Sequence, residues 1–319
     1  MLMHRSKPLR VLTWHVHGNY LYYLTQAPHE FHVVTRPGRP PGYAGRAGVL
    51  PWGPNVHEVD AADVASREFD VIVYQHRSHW DDDRLHLLSD RQRRLPRVYI
   101  EHDPPQEEPF AQRHWVDDPG TLLVHVTHFN QLMWDSGATP TRVIEHGVVV
   151  PEHVRYTGDT PRGIVVVNHL RGRGRRLGAD VFEAARAEVP LDLVGMDAES
   201  LGGIGEIANL DLAAFSARYR FFFNPIRWTS LGLAIVEAMT IGMPIVGLAT
   251  TELASVIRDG ENGVVDTRLD RLVDAMRRLI DDPAEARRLG DAARQTALER
   301  FHIDRFVYDW NDALRAVCA

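Results

Sequence analysis

Three places in this chain join chemically useful residue types at useful spacings. The run VLTWHVHG ends in His15-x-His17 followed by Gly18. Paired imidazoles at the end of a first strand can open a metal site of the kind hydrolases use, with His76, His102 and His128 to draw on at later strand ends. The same pair can instead line a ligand cleft at the carboxyl end of a sheet, and a plain structural role stays open beside both. In the second place, FFFNP is followed by Thr229, Ser230, Leu231, Gly232 and Leu233, then by an amphipathic stretch carrying Glu237. A helix starting there presents unpaired backbone N–H groups and a partial positive charge, which suits a phosphate. Gly232 lets a ligand approach the backbone, and Glu237 sits one to two turns in, where it can accept hydrogen bonds from ligand hydroxyls. The third place is VYIEHDPP, where His102, flanked by Glu101 and Asp103, ends a strand and opens a loop.

Such residues need elements to hold them. Short apolar β-rich runs at 10–16, 31–35, 69–76, 97–102, 122–127 and 142–148 alternate with helical patterns such as 83–94 and 129–136. That alternation predicts parallel strands with crossover helices. The polar stretch 151–162 has no hydrophobic period and is expected to be a linker. The pattern then restarts, with strands at 163–169, 191–195, 219–225 and 243–248 and helices at 178–188, 231–241, 252–257, 268–280, 283–300 and 304–317. Two successive Rossmann-like α/β domains are the simplest account. Residues 37–55, rich in Gly and Pro, and the acidic, proline-rich 103–120 read as long loops, which in compact domains are often functional.

Composition narrows the class. A chain of 319 residues is comfortable for two domains, and 44% hydrophobic with 25% charged residues excludes a disordered chain. Residues 1–155 carry 16 basic and 19 acidic side chains and 156–319 carry 20 and 24, so neither half has the basic excess of a nucleic-acid binder. The one cysteine, Cys318, excludes a disulfide framework and a Cys-based zinc site. No run is apolar enough for a membrane span and no signal-peptide core is visible, which leads to the expectation of a cytoplasmic protein. Arginine supplies every basic residue except Lys7, as the codon bias of a GC-rich bacterial genome would.

The segment 224–265 resembles the donor-binding signature of the retaining GT-B glycosyltransferases of family four, the glycosyl transferases group 1. The resemblance rests on Pro225, Gly232-Leu233, Glu237-Ala238-Met239, Gly242-Met243-Pro244 and Asp259-Gly260-Glu261-Asn262-Gly263. It extends more weakly over almost the whole chain. The resemblance implies a GT-B fold: an N-terminal acceptor-side domain over 1–155, a nucleotide-sugar donor-binding domain over 156–300, and a last helix over 301–319 packing back on the first domain. It implies hexosyl transfer from a nucleoside diphosphate sugar to an acceptor hydroxyl with retention. Neither a metal nor a further cofactor is implied, the sugar nucleotide being a co-substrate.

Residue roles follow from the same likeness. Glu237 binds the nucleotide ribose, while Thr229, Ser230, Leu231, Gly232 and Leu233 surround phosphates and sugar. Thr229 stands where the family has its first glutamate, so a catalytically weak sugar-nucleotide-binding protein is the alternative. In NHLRGRGRRLG, His169 and Leu177 replace the family's usual cations. Arg171, Arg173, Arg175 and Arg176 crowd the same loop, and Arg173 or Arg176 is expected to bind the diphosphate, because guanidinium groups suit its oxygens. Gly18 fits the family's glycine loop facing the donor phosphates, His102 reaches the donor sugar as a catalytic group, and His17, Asn19, Glu101 and Asp103 lie on the acceptor side. His146 takes the place of the family's interdomain asparagine. The basic pattern 84–97 is a candidate for peripheral contact with an anionic membrane, though a solvated helix face suits it better. A metal-dependent hydrolase built on His15 and His17 is a further alternative. It has no use for the segment around Glu237. Acceptor identity, donor base, sugar and oligomeric state have no sequence signal.

Overall fold

The computed structural model describes residues 7–319. Contacts divide the chain into two units, one running to Gly147 and joined by Ile303–Ala319, the other Val148–His302.

Unit 1 is built on β1 (Arg10–Thr13), α1 (Gly18–Leu24), β2 (Glu30–Thr35), β3 (Val56–Asp60), β4 (Val71–Tyr74), α2 (Arg84–His86), β5 (Arg97–Glu101), β6 (Thr121–His125), α3 (His128–Met133) and β7 (Thr141–Val143). The strands form one sheet in the order β3-β2-β1-β4-β5-β6-β7, every pairing parallel. Parallel strands buried on both faces need nearly continuous apolar runs, and VIVY in β4 is buried throughout. Leu12 of β1 pairs with His32 on one side and Ile72 on the other, so the chain order reverses at β1. Trp14 is fully buried, with Tyr74 stacked 5.3 Å from it and His79 5.0 Å from it. Burial drives His79 down to about 3, so it packs here as a neutral aromatic ring.

Two expectations fail in this unit for local reasons. Residues 83–94 are not one helix. A π-helical turn at His79–Asp83 runs into the single turn of α2, and a 3₁₀ turn follows at Gln92–Arg94. Gln92 is buried and donates to the carbonyls of Val64 and Arg67 at 2.7 and 2.8 Å, which pulls the chain out of helical register. The basic residues of 84–97 therefore do not form one helical face, and Arg91, Arg93 and Arg97 pair with Glu68, Asp90 and Asp118. Strand β3 has no counterpart in the sequence reading, because VHEVD buries only Val56 and Val59 on an edge. The 37–55 loop is latched: the Tyr43 hydroxyl meets both Asp83 oxygens at 2.8 and 2.7 Å, and Arg39 grips Glu58 at 2.8 Å.

Unit 2 comprises β8 (Thr160–Val166), α4 (Leu170–Leu177), α5 (Ala179–Arg186), β9 (Leu191–Val194), α6 (Asn209–Ser216), β10 (Tyr219–Asn224), α7 (Leu233–Ile241), β11 (Ile245–Leu248), α8 (Leu253–Val256), β12 (Gly263–Asp266), α9 (Leu269–Asp281) and α10 (Pro283–Arg300). Its sheet is again all parallel, ordered β12-β11-β10-β8-β9, so the reversal falls at β8 and β10. The polar stretch 151–162 lies within this unit: the buried Tyr156 donates its hydroxyl to the Arg220 carbonyl at 2.7 Å, and Thr160 already belongs to β8. Asp282 caps α10 by accepting from the N–H groups of Ala284 and Glu285, with Pro283 at the first helical position. The chain then returns to unit 1 as α11 (Ile303–Cys318), whose Phe306, Trp310, Ala313 and Leu314 are buried. Phe306 meets Tyr20 edge-on at 5.6 Å and Asp312 pairs with Arg142 at 2.7 Å.

Candidate functional site

In an open parallel sheet, loops leave the carboxyl ends of strands in opposite directions where the order reverses, and a crevice opens there. Each unit has such a point, and the chemically suggestive residues gather at both.

In unit 2 the arginine-rich segment leaves β8 and the Thr229–Leu233 segment leaves β10. The first is a helix and not a loop. His169, at φ 53°, starts α4, and Gly174, at φ 55° and ψ −136°, kinks it. Leu177 is buried in the core beneath it. Gly178 then turns at φ 81° with the Pro225 carbonyl oxygen 1.9 Å from where a Cβ would stand, so only glycine lets the two segments meet. The contact is tied further. The N–H groups of Arg227 and Trp228 donate to the Arg176 carbonyl at 3.1 and 3.2 Å, and Thr250 donates to the Ile226 carbonyl at 2.9 Å. The Arg227 guanidinium grips Asp180 at 2.6 and 2.8 Å and also reaches the Arg175 carbonyl.

This bracing sorts the four arginines. Arg175 pairs with Asp180 at 2.6 Å, and Arg171 donates to the Ser200 carbonyl. Among the described residues, no carboxylate or carbonyl holds the side chain of Arg173 or Arg176. Further along the chain, after the Arg227–Trp228 contact, α7 begins at Leu233, capped by Gly232 without a side-chain hydrogen bond. Thr229, Ser230 and Gly232 are half-buried, while Leu231 is 2% exposed. Glu237, 8% exposed, borders a small cavity with Val166, Leu212, Ser216 and Phe222. A carboxyl this buried is costly unless it is hydrogen-bonded.

In unit 1 the reversal lies between β1 and β4, and β5 is next. A cavity of about 250 Å³ opens at their carboxyl ends, with His17, Gln75, His76, Glu101, His102 and Asp103 among its lining residues. Gln75 donates its amide to the Thr13 hydroxyl and the Trp14 carbonyl, both at 3.1 Å. A carbonyl only accepts, so the amide orientation is set, and its oxygen faces His102 Nε2 at 3.2 Å. His102 Nε2 must therefore carry the hydrogen, which leaves Nδ1 as the acceptor. Burial, then the neighbouring His17 and His146, holds His102 well below its ordinary value, so it is neutral. Its ring meets His17 at 4.3 Å and Tyr20 at 4.7 Å, both edge-on. His146 is buried beside the same Tyr20 ring at 5.8 Å.

Glu101 is 6% exposed. It accepts from the Asp103 N–H at 2.9 Å and faces His114 Nε2 at 3.0 Å. His114 Nδ1 accepts from the Val116 N–H at 3.0 Å, so Nε2 is the protonated nitrogen and donates. Burial lowers His114 to about 4, and burial, helped by the Asp103 charge, raises Glu101 to about 8.

The His-x-His pair does not act together. His15 donates Nδ1–H to the Gly45 carbonyl at 2.6 Å, and its Nε2 stands 3.0 Å from where a Cβ on Gly18 would lie. His17 turns instead to the His102 cavity. Gly18 and Asn19 open α1. Among the described residues no group of three or more His, Cys, Asp or Glu side chains is placed to hold a metal ion.

With this geometry in hand, the comparisons are specific. Residues 201–296, which contain α7 and Glu237, match the family described as Glycosyl transferases group 1. This segment belongs to glycosyl transferases group 1. Among curated relatives, the MMP alpha-(1->4)-mannosyltransferase of Mycolicibacterium hassiacum is 37% identical over 98 residues, 30% of this chain and 24% of that protein. The D-inositol 3-phosphate glycosyltransferase of Nocardioides sp. is 32% identical over 113 residues, 35% of this chain and 25% of that protein. The chain thus spans about a quarter of the length of these relatives. Two solved structures match over nearly the whole chain. The sucrose-phosphate synthase of Thermosynechococcus elongatus superposes with a TM-score of 0.74 at 18% identity, covering 98% of this chain and 99% of that one. Anabaena HepE, solved in complex with UDP and glucose, does so at 0.72 and 15%, covering 97% and 100%. The fold is GT-B.

The group 1 segment begins after Arg173 and Arg176, and the Arg176 carbonyl accepts from Arg227 and Trp228 within it. Arg227 and Asp180, which brace that junction, gave no signal, because an ion pair between distant residues leaves no spacing to read. Gln75, Tyr99 and Trp134 of the unit 1 cavity were missed too. Gln75, directly after β4, could have been found from its place at a strand end next to the order reversal.

Proposed function

We propose that the chain transfers a sugar from a nucleoside diphosphate sugar to an acceptor hydroxyl, with retention at the anomeric carbon. The observation that carries this is the junction in unit 2, where the Arg176 carbonyl meets the N–H groups of Arg227 and Trp228 and, among the described residues, no carboxylate holds the side chains of Arg173 and Arg176. Arg173 and Arg176 would neutralise the diphosphate as it departs. Thr229, Ser230, Leu231, Gly232 and Leu233 would enclose phosphates and sugar, aided by the first N–H groups of α7. Glu237 would accept from the ribose hydroxyls. His102, neutral and orientated by Gln75, would hydrogen-bond the reacting sugar, and His17, Asn19, Glu101 and Asp103 would attend the acceptor. HepE, a protein of the same fold, has been solved with UDP-glucose, which supports a nucleotide-sugar donor.

Calorimetric titration with UDP, GDP and dTDP, with and without EDTA, tests this. One nucleotide class should bind regardless of EDTA, and Glu237→Ala should weaken it at least about ten-fold, the equivalent of one or two lost hydrogen bonds to a charged group. Binding by none of the three would overturn the reading. Release of free nucleotide from the matching sugar nucleotide on adding an acceptor then separates a transferase from a binding protein that Thr229 has left without turnover.

A further inference from the structure

Gln75 follows β4, whose four residues are all buried, and is itself 4% exposed. A buried amide is costly unless its donors and its oxygen are used. Here the donors go to the Thr13 hydroxyl and the Trp14 carbonyl, where β1 ends, and the oxygen goes to His102, where β5 ends. One side chain thus ties the carboxyl ends of three neighbouring strands, and its last partner lines the cavity.

The His102 ring has no second tie of this kind. His17 and Tyr20 meet it edge-on at 4.3 and 4.7 Å, contacts that restrict its position but do not choose which nitrogen carries the hydrogen. Arg77, also in the cavity wall, is engaged elsewhere, with Nε on Asp81 at 3.0 Å. Among the described residues no group donates to His102 Nδ1. Turning the Gln75 amide over would let Nε2 accept, but it would also set the amide oxygen against the Trp14 carbonyl, two acceptors facing each other. A main-chain carbonyl beside β1 therefore decides, through Gln75, which nitrogen of a ring beside β5 is left free.

We infer that Gln75 is the positioning residue of the sugar site, holding the His102 ring so that Nδ1 accepts a hydrogen bond from a hydroxyl of the donor sugar. This rests on the sugar-transfer reading and adds the direction of the contact. The donor sugar must carry a free hydroxyl where His102 meets it, because a deoxy carbon there leaves Nδ1 unpaired. Affinity for the nucleotide part, which that reading assigns to unit 2, does not depend on Gln75.

The test uses the full chain with isotope-labelled histidine rings, the His102 signals being identified by their loss in His102→Asn. In the native chain, proton–nitrogen spectra should show one His102 tautomer, with a slowly exchanging hydrogen on Nε2. Adding UDP-glucose, GDP-mannose or dTDP-glucose, according to which nucleotide binds, should shift the bare Nδ1 signal, and the nucleoside diphosphate alone should not. Gln75→Met, of similar length but without hydrogen bonds, should abolish the slow exchange and mix the tautomers. In calorimetry it should weaken the sugar nucleotide about three- to ten-fold and leave the nucleoside diphosphate unchanged. Thr13→Val takes one partner from Gln75 but leaves the Trp14 carbonyl to orient the amide, so the Nε2–H signal should persist. A hydrogen on Nδ1 in the native chain, an Nδ1 signal indifferent to the sugar, or a Gln75→Met chain like the native one would each overturn the inference. So would equal effects of Gln75→Met and Thr13→Val, which would reduce Gln75 to a tie between strands. If UDP, GDP or dTDP binds and these signs fail, only this inference falls. If none of the three binds, the sugar-transfer reading falls, whatever the ring shows.

Discussion

The two order reversals are the same device with opposite contents. At β8 and β10 of unit 2 the loops bring arginines and a helix start, and the carboxylate nearest them, Asp180, is consumed in bracing. At β1 and β4 of unit 1 they bring imidazoles, an amide and carboxylates, and the arginine is the group already consumed. One crevice is left with guanidinium groups that no carboxylate holds among the described residues, and the other with a neutral imidazole and a carboxyl that burial raises to about 8, on sheets of the same parallel construction. The teaching is that a parallel sheet dictates where a site forms, while the pairing of a few side chains within the loops dictates which ligand charge it accepts.

The sharpest way to break the comparison is to spoil one crevice mechanically. Gly178→Val puts a side chain into the Pro225 carbonyl at a φ of 81°, so α4 and the loop before α7 must separate. The expected cost is on the order of 3 kcal/mol, with a drop in melting temperature and loss of nucleotide binding. A variant with unchanged melting temperature would show that the junction is not held this closely.

The pH dependence of the unit 1 crevice comes next. Glu101 is raised to about 8, so between its unfolded value and about 8 the folded chain holds more protons than the unfolded one. Its contribution to stability is therefore greatest at acid pH and declines as pH rises through that window, by a few kcal/mol at most. His114, lowered to about 4, works the other way, costing stability as pH falls from about 6.5 to 4. Denaturant unfolding across pH should show the alkaline decline in the native chain and a flatter curve in Glu101→Gln. Parallel curves would place Glu101 in a wetter setting.

Within unit 2, the arginines should separate by role. Arg173→Ala and Arg176→Ala should each weaken nucleoside diphosphate binding about ten-fold in calorimetry while leaving stability within about 0.5 kcal/mol. Arg227→Ala should lower stability by about 1 kcal/mol, because Asp180 then keeps only Arg175. The smallest effect is expected at Arg91, exposed and paired with an exposed Glu68, where Arg91→Ala should change neither melting temperature nor ligand binding measurably.

Legibility in the sequence followed burial. Buried runs such as VIVY and FFFNP announced their strands, and the 3.6-residue period of α9 and α10 announced those helices. The edge strand β3 hid because half of it faces solvent, and 83–94 misled because a helical apolar period can equally be broken by one buried glutamine. The arginine segment read as a loop for its glycines, yet its two turns are helical on either side of Gly174.

What the sequence by itself determined is the alternation of strand and helix, the restart of that pattern in the second half, and a group 1 signature around Glu237. These are local patterns, set by residues within a few positions of one another. Tertiary structure alone decided which arginines stay unpaired, which nitrogen of His102 carries its hydrogen, and that His15 and His17 part company. Each of those depends on a partner far along the chain (Asp180 with Arg227, Gln75 with Trp14, Gly45 with His15), and only folding brings such partners within hydrogen-bond distance.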